Sequence, residues 1–149
     1  MAVLNQSSVT NKVNLIDARG PRFSAVITTL VLAVALVTQS AVLIAIQLAV
    51  FAIGAFAGPA KTPYAVIFKK FVKPRLKGAV PTEDARPPQF AQSVGLIFVV
   101  VALAGSLLSI PALFTIAVGF ALFAAFLNAA FNFCLGCEIY LVAIRAIKN

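Results

Sequence analysis

Two long apolar stretches, residues 23–57 and 91–133, alternate with three polar, basic segments along this chain of 149 residues. A helix that crosses a bilayer needs about 20 apolar residues, with a usable range of roughly 17–25. Each stretch is too long for one such helix. Each also carries one soft interruption, Thr38-Gln39-Ser40 in the first and Ser109-Ile110-Pro111 in the second. The pattern predicts two helical hairpins, and so an all-α integral membrane protein with four transmembrane helices. Six spans would need more apolar sequence than is present. Two would bury the Gln39 and Pro111 breaks inside overlong helices. Residues 1–22 are mixed and polar, and the run after them lacks a small-x-small cleavage site, so the first span is expected to be retained rather than removed as a secretory signal.

Charge sets the expected topology. All twelve Lys and Arg fall in the N-terminal segment, the central loop or the C-terminal tail, and none falls in the two short turns. With four spans those three segments share one side, and the positive-inside rule makes that side cytoplasmic. The expectation is a multi-pass protein of the bacterial cytoplasmic (inner) membrane with both termini in the cytoplasm. The chain is 62% hydrophobic and 11% charged with a net charge of +8, where a soluble domain carries about 25% charged residues. Basic residues confined to the ends and one loop argue against nucleic acid as a partner. In residues 64–77, Phe68, Phe71 and Val72 are interleaved with Lys69, Lys70, Lys73, Arg75 and Lys77. That composition suits a helix lying on a bilayer with anionic headgroups.

The chain also repeats itself. Asp17-Ala18-Arg19-Gly20-Pro21-Arg22-Phe23-Ser24 matches Asp84-Ala85-Arg86-Pro87-Pro88-Gln89-Phe90-Ala91, with six of eight positions identical or near-identical. Both lead-in motifs precede the first helix of a hairpin. Both hairpins are followed by a tyrosine and an amphipathic basic stretch: Tyr64 with Phe68, Lys69 and Lys70, then Tyr140 with Ile144 and Arg145. A single membrane domain, 1–149, thus reads as a 2+2 repeat of residues 17–77 and 84–149, related by an axis along the membrane normal. Pro21 and Pro88 suit a first helical turn. Asp17 and Asp84 are suited to cap those helices or to pair with Arg19 and Arg86. The functional alternative is an anion or lipid-headgroup site built by Arg19, Arg22 and Arg86.

The absence of His excludes a Ser-His-Asp triad and removes the commonest metal ligand and proton shuttle. No phosphate-binding loop, dinucleotide fingerprint or zinc-protease motif is present, and no cofactor is identified. Candidate chemistry falls on Cys134-Leu135-Gly136-Cys137, the whole cysteine complement, at the cytoplasmic end of the last span. Two thiols three apart on a helix are close enough to bridge. In a reducing compartment such a pair is more often catalytic or metal-binding than structural. Inert packing of two small side chains is the competing reading. A metal site would want four ligands and the chain offers two thiols, so no metal is assigned. The pair is expected at a helix C-terminal end or a break. There, no helix N-terminus lowers a thiol pKa, and Glu138 raises it unless an Arg offsets the charge. Asn128 and Asn132, four apart in the last span, read as interhelical hydrogen bonds or as the lining of a polar pocket, for instance for a quinone head group. Gly54 and Gly58 form a GxxxG that permits close helix packing.

Three functions compete. The first is a membrane thiol protein in which Cys134 and Cys137 cycle between dithiol and disulfide or carry a persulfide. Glu138 would then modulate the thiols, and Asn128, Asn132, Arg19, Arg22 and Arg86 would shape the pocket. The second is an accessory subunit of a homo- or hetero-oligomeric membrane complex with no chemistry of its own. The third is a small transporter, disfavoured because no acidic or basic residue lies within a span.

A resemblance covers nearly the whole chain. Asp17-x-Arg19-x-Pro21-Arg22-Phe23, Gly58-Pro59 with Pro63-Tyr64, Pro74-Arg75-Leu76, Glu83-Asp84-x-x-Pro87-Pro88-x-Phe90-Ala91 and Cys134-Leu135-Gly136-Cys137-Glu138-x-Tyr140 resemble a bacterial integral-membrane family classed as a domain of unknown function (domain of unknown function 4395). Gln89 departs from the pattern, which expects Arg there to match Arg22. Members are said to occur beside thioredoxin-like and rhodanese-like proteins. The resemblance therefore implies thiol or sulfur-transfer chemistry with a cytoplasmic partner of one of those kinds.

Overall fold

Helix α1 (Arg19–Thr38) stops where Gln39 takes up a left-handed conformation (φ 55°, ψ 41°). Ser40 then starts helix α2 (Ala41–Phe56) as its cap, its hydroxyl accepting the Leu43 N–H at 3.2 Å. The cap satisfies one of the donors that a helix start leaves free. A computed structural model describes residues 15–76, 82–131 and 133–148. After α2, Gly58 turns the chain with φ 115°, a conformation that only glycine adopts at low energy. A turn of 3₁₀ helix (Pro59–Lys61) leads to helix α3 (Pro63–Ile67).

The basic stretch expected as one surface helix is broken. Helix α3 widens into a π turn over Phe68–Val72 and tightens into a 3₁₀ turn over Lys73–Arg75, leaving Leu76 extended. Pro74 supplies no N–H to an α-helical ladder, which accounts for the change at that point. Helix α4 (Arg86–Leu107) carries prolines in its first turn, helix α5 (Pro111–Phe131) begins at the expected proline after Ser109 turns at φ 60°, and helix α6 (Leu135–Lys148) ends the described chain. Helices α1, α4 and α5 are each long and apolar enough to cross a membrane, with mean hydropathy of 1.8, 2.1 and 2.1. Helix α2 is apolar but shorter, at 16 residues.

The four apolar helices form a ring. Helix α2 packs on α4, α1 on α5, α4 on α5 and, less extensively, α1 on α2. One half of the ring is closed by Leu32, Ala35, Ile44, Val99, Ala102, Phe114 and Val118, all buried. Alanines among them let backbones approach, which matters where lipid is as apolar as the helices and packing itself must hold them. Leu30, Val37, Val42, Ile97, Ile116 and Phe120 face outward and are exposed.

The architecture holds one feature outside the helices. Strands β1 (Leu15–Asp17) and β2 (Thr82–Asp84) pair antiparallel, with Leu15 opposite Asp84 and Asp17 opposite Thr82. The two lead-in motifs are thereby held side by side, and each has the same internal clasp. The Arg19 guanidinium donates to both Asp17 oxygens at 2.8–3.0 Å, and that of Arg86 to Asp84 at 2.7–3.1 Å. The backbone N–H of each arginine also donates to its aspartate. Hydrogen bonds from Arg19 hold the Asp17 carboxyl below its usual 3.8. At Asp84 partial burial works the other way, but hydrogen bonds from the Arg86 side chain and backbone outweigh it and lower that carboxyl too.

Candidate functional site

Helix α5 runs out at Phe131, and Cys134 starts a new helix. The N–H of Cys137 points at the Cys134 sulfur at 3.1 Å, and the N–H of Glu138 donates to the Cys134 carbonyl at 3.0 Å. The cysteines therefore sit at a break between two helices, one of the two expected positions, and at the N-terminal end of α6. The positive end of the α6 dipole faces the sulfurs. The sequence marks this break weakly: Asn128 and Asn132 interrupt the apolar run, but no Gly or Pro lies between Gly119 and Gly136. Cys134 and Cys137 are joined in a disulfide, with Cα atoms 5.1 Å apart, and both are half-buried.

Helix α6 can approach α4 because Gly136 lacks a side chain. A Cβ there would lie 2.7 Å from the Ala91 Cβ and 2.8 Å from its Cα. Farther along, Tyr140 packs against Phe90 with ring centroids 5.5 Å apart and the rings tilted by 49°. Phe23 and Phe68 make the same contact, also at 5.5 Å, where α3 continues beneath α1.

The disulfide lines a cavity of about 420 Å³ enclosed by α1, α4, α5 and the start of α6. Alanine is the commonest residue in its walls, Phe51 and Phe98 are the largest apolar ones, and polar and charged side chains are interspersed among them. On α4 the lining runs from Pro87 to Phe98, about 16 Å along a helix rising 1.5 Å per residue. The cavity thus occupies the half of the ring that the core leaves open.

Of the residues expected to form the site, Cys134, Cys137, Glu138, Asn128 and Arg22 all line this cavity. Arg22 also donates to the carbonyls of Ala129 at 3.1 Å and Ala130 at 3.4 Å, neutralising the negative end of α5. Arg19 and Arg86 do not line it; they are spent on Asp17 and Asp84. Asn132 lies outside the described residues. Gln92 is a lining residue that reading the sequence missed. Its Oε1 is buried with no hydrogen-bond partner. Gly54 makes room for it, since a Cβ at that position would lie 2.6 Å from that oxygen. A lone amide in an apolar run was the available signal. Of the GxxxG pair, only Gly54 serves close packing; Gly58 has nothing within 4 Å of where its Cβ would be.

Chemically, the arrangement presents a disulfide at a helix start beside an apolar pocket. On reduction, a thiolate at Cys134 would be favoured by the Cys137 N–H and by the helix dipole. Among the described residues, no group of three or more His, Cys, Asp or Glu is placed to hold a metal ion.

No curated protein and no solved structure matches the chain. Residues 16–145 match the family described as Domain of unknown function (DUF4395). That span takes in both Asp-x-Arg clasps, the four apolar helices and the cysteine pair, and the chain belongs to this family.

Proposed function

We propose that this protein is a four-span thiol protein of the bacterial cytoplasmic membrane. In this reading Cys134 and Cys137 exchange disulfide or sulfur with a thioredoxin-like or rhodanese-like protein of the cytoplasm. The observation that carries it is the Cys134–Cys137 pair at the start of α6, bonded and lining the 420 Å³ cavity. Cys134 is the exchanging sulfur, because it receives the Cys137 N–H. A thiolate of a partner dithiol attacks it, a mixed disulfide forms and the Cys137 thiolate leaves. The partner's second thiolate then displaces Cys134, so the partner carries the disulfide and the internal pair is left as a dithiol.

The membrane reading rests on three apolar helices of spanning length, a fourth apolar helix beside them and outward-facing aliphatic side chains. The confinement of all twelve basic residues to three segments supports cytoplasmic termini. A duplicated architecture is supported by the paired strands, the two Asp–Arg clasps and the two aromatic contacts. Reporter fusions after Arg75 and at the C-terminus should both read cytoplasm, and one at Gln39 should read the outside.

The decisive experiment is trapping. In native membranes the Cys137→Ser variant should accumulate a mixed disulfide through Cys134 with a cytoplasmic thiol protein. Cys134 should also alkylate at neutral pH faster than a free-thiol reference. If neither cysteine labels after reduction and no adduct forms, the thiol reading is wrong, and a role as a non-catalytic subunit of a larger complex takes its place.

A further inference from the structure

We propose that the cavity beside the disulfide is a binding site for a lipid-soluble quinone, which oxidises the Cys134/Cys137 dithiol. This rests on the reading of those cysteines as a redox pair and names the oxidant. The need for one is chemical. Cytoplasmic glutathione and thioredoxin pools keep thiols reduced, so a pair that closes to a disulfide at that boundary requires a two-electron acceptor from elsewhere. The bilayer is the other available phase.

The cavity selects a neutral ligand. Arg22 is its one cationic lining residue, and that guanidinium is engaged by the α5 carbonyls. Asp84 is clasped by Arg86, and Glu138 adds negative charge. A phosphate-bearing nucleotide would meet one cation among the described lining residues, Arg22, with two of its donors already used on carbonyls, and two carboxylates, Asp84 and Glu138. The space of about 420 Å³ falls within the roughly 300–1,000 Å³ of small-molecule sites, which are mostly apolar with a few convergent polar groups.

The neutral polar groups here are the amides of Gln92 and Asn128 and the hydroxyls of Ser24 and Thr28. The amide of Gln92 carries a buried atom without a partner. That atom is Oε1, which faces Gly54, so the Nε2 end of the amide is the one able to donate an N–H to a quinone carbonyl. Phe51 and Phe98 offer ring surfaces to a flat ligand. In the reaction two S–H bonds break and one S–S bond forms. Two electrons and two protons pass to the quinone, whose two carbonyl oxygens become the hydroxyls of a quinol.

The test uses the purified full chain in detergent, reduced, freed of reductant and mixed with decylubiquinone. Its fully substituted ring excludes thiol addition. The expected result is one quinol formed per disulfide closed, at a rate that saturates with quinone concentration. Gln92→Leu and Ala125→Phe should each slow it at least tenfold. A rate that rises linearly without saturation, as when lipid alone fills the cavity, would overturn the proposal. So would equal rates in wild type and both variants. Wild-type exchange with dithiothreitol separates the two readings: normal exchange with no saturable quinone oxidation sinks the quinone site alone, and no exchange sinks the thiol reading with it.

Discussion

The Gln89 side chain donates from Nε2 to the Ala55 carbonyl at 2.8 Å, tying the first turn of α4 to the last turn of α2. Arg22 makes the corresponding bond from the first turn of α1 to the end of α5. Gln89 stands where the first lead-in motif has Arg22, so the capping role is kept without the charge. Gln89→Arg should therefore leave the thermal midpoint in detergent unchanged or slightly raised, because a cation at a helix C-terminus is favourable. Gln89→Leu should destabilise by about 1 kcal/mol.

The Gly136–Ala91 contact predicts a rescue. Gly136→Ala places a methyl within 2.7 Å of the Ala91 side chain, and overpacking of this kind costs about 1–3 kcal/mol. Thermal unfolding should show that loss, together with an altered rate of disulfide reduction by a small phosphine. Adding Ala91→Gly should recover part of both, since the Ala91 Cα at 2.8 Å remains in the way. A double variant no better than the single one would mean that α6 is held elsewhere.

Acid should loosen the paired strands. The carboxyls of Asp17 and Asp84 are both lowered from 3.8 in the folded chain. Their contribution is then fully present above about pH 3.8 and fades as the pH drops through the lower folded values. Midpoints measured between pH 5 and pH 2.5 should fall for the wild type in the lower part of that range. Asp17→Asn with Asp84→Asn should begin lower at neutral pH and change less.

Gln47 is fully buried on α2 and accepts the Tyr64 hydroxyl at 2.9 Å, while its Nε2 has no partner. Tyr64→Phe would strand the amide, with a cost of about 1–3 kcal/mol. Gln47→Leu strands the phenol instead. The double variant should be closer to the wild type than the two losses added together, since both polar groups are then gone. Thermal midpoints of the four proteins measure the coupling.

Much of the helical plan was legible because turns leave marks in apolar sequence. Gln39 and Pro111 interrupt runs too long for one helix, and a break between helices falls at each. The pairing of Asp17 with Arg19 and of Asp84 with Arg86 was open to reading because the partners lie two residues apart. What stayed hidden has physical reasons. Strands of three residues are too short to show alternation, so the β1–β2 pair left no trace. No Gly or Pro lies between Gly119 and Gly136 to mark the start of α6, so a helix end and a break at the cysteines were both open readings. Gln47 and Gln92 looked like isolated polar residues, because what gives each its weight is a neighbour from another helix or a missing one.

The strand pair also bears on how the protein is made. Strands β1 and β2 lie about 65 residues apart in sequence, with the whole first hairpin between them. A ribosome adding roughly 5–20 residues per second leaves β1 without its partner for about 3–13 s. The first hairpin must enter the bilayer and wait with an open strand edge. Only when the second half emerges does the latch close, so assembly of the two halves carries a built-in order, set by the direction of translation.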